Sequence, residues 1–112
     1  MKYLLAAMMA FPMLAAAQEW APTDEQIEEI YAGYSGGYFM FKTTGTHYNP
    51  NGCDGSLYSV DPESADADRL FALILAAQKS GSKIKVAVDP NACGRSVGHL
   101  NKKIKVSRIK AL

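Results

Sequence analysis

The chain has 112 residues, 48% of them hydrophobic, and a formal net charge of +1 at pH 7. A chain of this length predicts one small domain rather than several. Every apolar run is shorter than the roughly 20 residues that a transmembrane helix needs, which excludes a membrane-spanning helix.

The amino-terminal segment has the pattern of a secretory signal peptide. Lys2 precedes an apolar run from Leu4 to Phe11, and three alanines end at Ala17, directly before polar Gln18. A positive charge, a short apolar stretch and small residues before the cut are typical of such signals. A buried helix of the folded protein is the alternative. We predict a signal peptide over residues 1–17, a single domain over 18–112, and a periplasmic or secreted location.

The two cysteines are expected to form one disulfide in that setting. Cys53 and Cys93 are the chain's two cysteines, and in exported proteins such pairs are commonly oxidised to disulfides. Closing a loop of this length stabilises a domain by roughly 4 kcal/mol in the chain-entropy model. Two free thiols are the alternative. Neither His47 nor His99 has ligand spacing to a cysteine, so we predict no metal site.

The charges are divided between the two halves of the chain. Residues 18–68 contain ten acidic residues and one basic residue, whereas 69–112 contain ten basic residues and one acidic residue. Two interpretations follow: the halves interleave and neutralise each other, or opposite signs lie on opposite flanks and attract a second copy head to tail. Export and the acidic half argue against binding to nucleic acid.

The first element after the signal peptide is open between helix and strand. Thr23 to Gln26 has the form of a helix capping box, and Ile27, Ile30 and Tyr34 follow at helical spacing. Ile30 and Ala32 could equally form one face of a strand, so periodicity leaves residues 26–32 undecided.

The next elements are clearer. Residues 38–44 are aromatic and threonine-rich and predict a strand that forms a hairpin with the preceding segment. A polar, turn-rich loop over 45–55 follows, and then an alternating strand over 56–60.

A helix is expected to begin at Asp61-Pro62, with the aspartate as cap, and to end at Gly81. Its predicted apolar stripe contains Leu70, Leu73, Ile74 and Ala77, widened by Phe71 and Leu75. Residues 83–88 then alternate as a strand, 89–94 are a turn, and a last strand begins at 103. The predicted order of elements is three strands, one helix and two further strands. This order predicts a β-rich fold: a small five-stranded OB-type barrel with the helix between strands 3 and 4.

Several segments resemble the receptor-binding B subunits of AB5 toxins of the subtilase cytotoxin and pertussis types. The matching residues are Glu19-Trp20, Thr23-Asp24-Glu25, Ile27, Glu29, Gly33, Tyr38-Phe39 and Lys42-Thr43, and later the stretch Leu70–Val88. The resemblance implies an OB fold, favours a strand at 26–32, and implies a pentameric ring, a catalytic A subunit as partner and a sialylated glycan as ligand.

The resemblance implies one ligand-binding residue. In that family a serine before an Asp-Glu pair binds the sugar's acid group, and Thr23 stands at this position. Met40 stands where the family has a cysteine, so the disulfide pattern differs. Tyr31, Tyr34, Tyr38 and Tyr48 could provide stacking faces for a sugar, although packing in the core explains such residues equally well.

No catalytic constellation stands out. Ser96 and His99 are close in sequence, but a polar loop after the second cysteine accounts for them, and there is no glycine-rich phosphate loop. We expect a binding module that is not an enzyme and uses no cofactor. The alternative is a stand-alone periplasmic domain that interacts with another protein or has a structural role.

Overall fold

The computed structural model describes residues 18–95 and 102–112. The predicted signal peptide at 1–17 lies outside the described residues, as do Ser96 and His99. The elements are the strands β1 (Glu19–Trp20), β2 (Glu25–Tyr31), β3 (Phe39–Thr43), β4 (Asp54–Val60), β5 (Lys83–Gly94) and β6 (Lys103–Ala111), with the helix α1 (Ala67–Ser80) between β4 and β5.

The five longer strands close into a barrel. β2 pairs with β3, β3 with β4, β4 with β6, β6 with β5, and β5 with β2. The β4–β6 pairing is parallel and the others are antiparallel. This confirms the predicted small OB-type barrel with one helix between its third and fourth strands. The short β1, which was not predicted, pairs with β5 through Trp20 and Ala87.

The undecided segment at 26–32 is strand as far as Tyr31, so the capping box does not form. Thr44 N–H donates to the Gln26 carbonyl at 3.0 Å, and Gln26 N–H donates to the Thr44 hydroxyl at 3.3 Å. β2 carries a bulge between Ile27 and Glu29. A helix of two turns gains little by itself, whereas partners on both sides satisfy the backbone of a strand.

The helix begins later than predicted. Asp61 caps a separate turn, since its carboxylate accepts from Glu63 N–H at 3.0 Å. The helix cap is Asp66, whose side chain accepts from Arg69 N–H. Two Asx-type signals follow one another here, and the sequence does not distinguish them. The predicted end at Gly81 is confirmed by its left-handed conformation, φ 73°.

One predicted turn is part of a strand. Residues 89–94 continue β5, where Cys93 pairs with Ile104 of β6. Asp89 accepts from Asn91 N–H at 2.8 Å, and the register shifts between Val88 and Cys93. The turn-forming residues therefore produce an irregularity within the strand rather than its end.

The predicted disulfide between Cys53 and Cys93 is confirmed, with a Cα–Cα distance of 5.8 Å. It joins the start of β4 to the far end of β5. With its amide oriented to satisfy both groups, Asn51 donates to the Pro90 carbonyl at 3.2 Å and accepts from Ala92 N–H at 3.1 Å. The loop before β4 is thus fixed to β5 by a covalent bond and a side-chain bridge.

The core fills the barrel and its contact with the helix. Phe41, Ile74, Ile84, Val88 and Val106 have no exposed surface, and α1 packs its buried positions against the strands. Leu75 was expected to widen the buried stripe but is 39% exposed. Within the described ranges, no helix is long and apolar enough to cross a bilayer.

Ion pairs join the acidic and basic halves of the chain. Lys85 lies 3.5 Å from Asp24, Arg95 lies 2.9 Å from Asp61, and Lys103 lies 2.7 Å from Asp54. Each pair takes its acid from residues 18–68 and its base from residues 69–112. These contacts favour the interpretation in which the halves interleave.

Candidate functional site

A pocket of about 400 Å³ lies on the outer face of the barrel, over β2, β3 and β4. We call it the outer-face pocket. Its apolar walls are Tyr31, Tyr34 and Leu57, and Met40 contributes to it as well. Phe39 and Phe41 belong to the core, so alternation along β3 directs Met40 to the opposite face. Met40 is only 2% exposed, which makes it the floor of the pocket.

Two lysines and a serine provide its polar side. Lys103 Nζ donates to Asp54 Oδ2 at 2.7 Å and to Ser56 Oγ at 2.8 Å. Lys42 Nζ lies 3.6 Å from Glu28 Oε1, and both side chains are nearly half exposed. Each lysine therefore has its own carboxylate partner outside the lining, and the pocket itself offers the two ammonium groups and the Ser56 hydroxyl.

The Asp54–Lys103 pair is the better-defined of the two. The hydrogen bond from Lys103, supported by the N–H and hydroxyl of Ser56, lowers the pKa of Asp54 from 3.8 to about 2. Asp54 and Lys103 are also paired in the parallel ladder between β4 and β6. The seam that closes the barrel thus holds this lysine in place.

The glycine-rich loop between β2 and β3 carries Tyr34 to the edge of the pocket. Tyr34 stacks on Tyr38 with ring centroids 5.1 Å apart and an interplanar angle of 13°. Arg95 lies over the other ring of this pair, 5.7 Å from the Tyr38 centroid. Gly36 and Gly37 have φ of 97° and 79°, which glycine adopts without strain.

Arg95 is itself fixed by two carboxylates. Its Nε donates to Asp61 at 2.9 Å and its Nη2 lies 2.9 Å from Glu63. The hydrogen bond to Asp61 raises the pKa of Arg95 above its ordinary value. The turn before the helix therefore fixes Arg95 through two ion pairs. Arg95 in turn packs over the ring of Tyr38, and Tyr38 stacks on Tyr34.

A second pocket, of about 280 Å³, lies between this loop and the start of α1. We call it the loop pocket. Tyr34 and Tyr38 line it from the loop, and Asp68 and Phe71 line it from the helix. Phe71 is positioned by an edge-on contact with Phe39, with centroids 5.2 Å apart. Tyr34 also lines the outer-face pocket.

Thr23 lies elsewhere. It is exposed, and its hydroxyl donates to Glu25 Oε2 at 2.9 Å, while Thr44 donates to the other oxygen of the same carboxylate at 3.0 Å. Thr23 precedes β2, whereas Tyr31 ends it, so about 20 Å of strand separates them. The structure does not bring Thr23 to either pocket.

The predicted stacking tyrosines are divided between pockets and core. Tyr31, Tyr34 and Tyr38 line the two pockets. Tyr48 packs against the core instead, with its backbone N–H donating to the Tyr58 hydroxyl at 2.7 Å.

Four further residues line the outer-face pocket that the sequence pattern did not single out: Lys42, Ser56, Leu57 and Lys103. A signal for Leu57 existed: it neighbours Tyr58, which faces the core, so alternation assigns Leu57 to the outer face. The two lysines gave no such signal. They are 61 positions apart in the sequence, and only the parallel β4–β6 pairing brings them to one pocket.

Within residues 18–95 and 102–112, no group of three or more His, Cys, Asp or Glu side chains is arranged to hold a metal ion. Compared with models of known families, with curated proteins and with solved structures, the chain has no match.

Proposed function

We propose that this domain is a non-catalytic binding module of an exported protein and that it binds carbohydrate in the outer-face pocket. The observation that carries the proposal is the arrangement around Met40. Two tyrosine rings stand beside two lysines, and each lysine has a carboxylate partner. OB folds commonly bind oligosaccharides on the face of their second and third strands, which are β3 and β4 here.

The chemistry of the pocket suits a sugar. The apolar C–H face of a pyranose packs against a tyrosine ring, while its hydroxyls need donors and acceptors at short range. Tyr31 is 39% exposed and its hydroxyl donates to Glu29, so the ring is accessible to a ligand while its outer end is held. Lys103 already donates a hydrogen bond to the Ser56 hydroxyl, which fixes polar groups in advance of binding.

The resemblance to toxin B subunits extends the proposal to a sialylated glycan. Lys42 suits a carboxylate best, because its ion pair is long at 3.6 Å and exposed. The same resemblance assigns Thr23 to the acid group. Thr23 and the outer-face pocket are therefore two separate candidates that one set of variants can distinguish.

The test is a glycan array that presents sialylated and neutral oligosaccharides to the purified protein. We expect binding by the wild type and a loss of at least about tenfold for Tyr31→Ala, with Tyr31→Phe retaining most of it because the ring remains. Leu75→Ala is the matched control, since Leu75 is equally exposed at 39% but lies on the helix. It should bind as the wild type does.

Two outcomes would contradict the proposal. If the wild type binds no glycan, carbohydrate binding is rejected and a protein-interaction role gains support. If Thr23→Ala removes binding while Tyr31→Ala does not, the sugar binds at Thr23 and the outer-face pocket is rejected.

The proposal also includes export and a ring of subunits that would present several sites to one surface. Support for export comes from the sequence of residues 1–17, and support for a pentamer with a catalytic partner comes from the toxin resemblance alone. Amino-terminal sequencing of protein from the host envelope should begin at Gln18. Light scattering at high concentration should give a pentamer mass, and a strictly monomeric mass would contradict the ring.

A further inference from the structure

The outer-face pocket and the loop pocket meet at one side chain. Tyr34 lines both of them, so the two pockets adjoin at this ring. Their volumes are about 400 and 280 Å³. Pockets for drug-sized ligands are about 300–1,000 Å³, so the loop pocket falls just below this range and the outer-face pocket lies near its lower end.

The side chain between the pockets is braced. Tyr34 stacks on Tyr38, Tyr38 packs under Arg95, and Arg95 binds Asp61 and Glu63. A ring held this way does not need to be ordered when a ligand arrives, which removes part of the entropic cost of binding. Tyr34 is thus suited to be a fixed ridge over which a ligand passes.

The two pockets differ in chemistry. The outer-face pocket is lined by two ammonium groups, those of Lys42 and Lys103, whose carboxylate partners lie outside the lining. The loop pocket has aromatic walls from Tyr38 and Phe71 and a carboxylate, Asp68, at the start of the helix. A unit in the loop pocket would therefore pack an apolar face on the rings and donate a hydroxyl to Asp68.

We infer that the site takes an oligosaccharide of at least two units, one in the outer-face pocket and the next across Tyr34 in the loop pocket. This inference rests on the proposed function. It adds that the loop pocket supplies a second subsite, and that ligand length determines affinity. A monosaccharide fills only the outer-face pocket and binds weakly.

The experiment compares ligands of different length on a protein whose loop pocket is filled. Ala32 lines the loop pocket and not the outer-face pocket, and it is exposed. Ala32→Trp therefore blocks one subsite. Ala76→Trp is the matched control, an exposed alanine on the helix that lines neither pocket. The probes are galactose with lactose, and N-acetylneuraminic acid with sialyllactose, measured by titration calorimetry.

We expect the wild type and Ala76→Trp to bind the longer sugar of a pair at least about tenfold more tightly than the shorter one. Ala32→Trp should keep the affinity for the shorter sugar within about twofold and lose the gain from length. Asp68→Asn, which changes no volume, should weaken only the longer sugar. Thermal melting of each variant checks that it is folded.

Equal affinity for short and long sugars, or an equal loss of both in Ala32→Trp, overturns the two-subsite inference while leaving carbohydrate binding intact. If the wild type binds none of the four sugars and none on the array, the proposed function itself fails. The two failures are therefore distinguishable.

Discussion

Arg95 connects three parts of the molecule through one side chain. It pairs with Asp61 and Glu63 in the turn before the helix, and it lies over Tyr38 at the end of the β2–β3 loop. Its side chain is 34% exposed and that of Asp61 only 13%, so this pair is less screened than the pair with Glu63, whose side chain is 79% exposed. The position of the Tyr34 ring depends on the contact between Arg95 and Tyr38, because Tyr34 stacks on Tyr38.

A glycine in the loop gives the sharpest test of that dependence. In Gly36→Ala the new methyl group would overlap Nη1 of Arg95, and the residue has φ of 97°. We expect the free energy of unfolding to fall by about 2–3 kcal/mol, from backbone strain plus displacement of the arginine. Urea unfolding measures this.

Gly52→Ala is the control for Gly36→Ala. It also has a positive φ, 67°, but open space around the added methyl group, so it should cost only about 1 kcal/mol. Equal losses in the two variants would show that Arg95 is not displaced.

The Asp54–Lys103 pair predicts a pH dependence of stability. Because the pKa of Asp54 falls to about 2 in the folded protein, from 3.8, the pair stabilises the fold above about pH 4, and this contribution is lost as the pH falls towards 2. Asp54→Asn should lower the urea midpoint at pH 7. Near pH 2 the midpoint of the variant should approach that of the wild type.

Asp24→Asn is the comparison for that variant. It removes the longer 3.5 Å pair with Lys85 and should change the midpoint less. A constant difference between wild type and Asp54→Asn from pH 7 to 2 would contradict the assignment.

The helix α1 rests on the barrel by a narrow stripe. Ala67, Ile74 and Ala77 are buried, and Leu70 and Phe71 are partly buried against the same core. Leu75 points away from it and is 39% exposed. Burial on one face, rather than helix propensity alone, therefore holds this element in place.

Two neighbouring substitutions separate the two faces. Ile74→Ala removes a side chain with no exposed surface and should cost about 3 kcal/mol. Leu75→Ala, one position later, should stay within about 0.5 kcal/mol of the wild type. Thermal or urea unfolding distinguishes them, and a large loss in Leu75→Ala would mean that this face is covered by another surface in solution.

Among the elements, those with a strong local pattern could be predicted and those decided by partners could not. The alternation of Ile84, Val86 and Val88 predicts the first part of β5, residues 83–88, and the glycine at 81 predicts the end of α1. Residues 26–32 fit helix and strand equally until the hydrogen bonds with Thr44 are known. The turn chemistry at 89–94 is real, but the pairing of Cys93 with Ile104 overrides it.

At the scale of the whole molecule, the barrel topology followed from the order of elements, and the disulfide followed from two cysteines in an expected export context. The binding face did not follow. Its tyrosines could be named in advance, but Lys42 and Lys103 meet only through the parallel closure of β4 and β6. Contacts between distant segments leave no local pattern in the sequence, so the pocket could not be predicted from the sequence alone.

The disulfide is expected to contribute much of the stability of this small domain. Cys53 and Cys93 are 40 residues apart, for which the chain-entropy model gives about 4 kcal/mol. Replacing both cysteines with serine should lower the free energy of unfolding by about this amount, measured by urea unfolding. The wild type in reductant should lose a similar amount. An unchanged midpoint in both cases would show that the closed barrel does not need the bridge.

Chain order gives the parallel β4–β6 seam one further consequence. β6 is the last strand in the chain, so the barrel is open between β4 and β5 until residues 103–111 are in place. Both cysteines precede that last strand. The crosslink can therefore be made on an incomplete sheet, and the final strand then enters a frame whose two sides are already tied together.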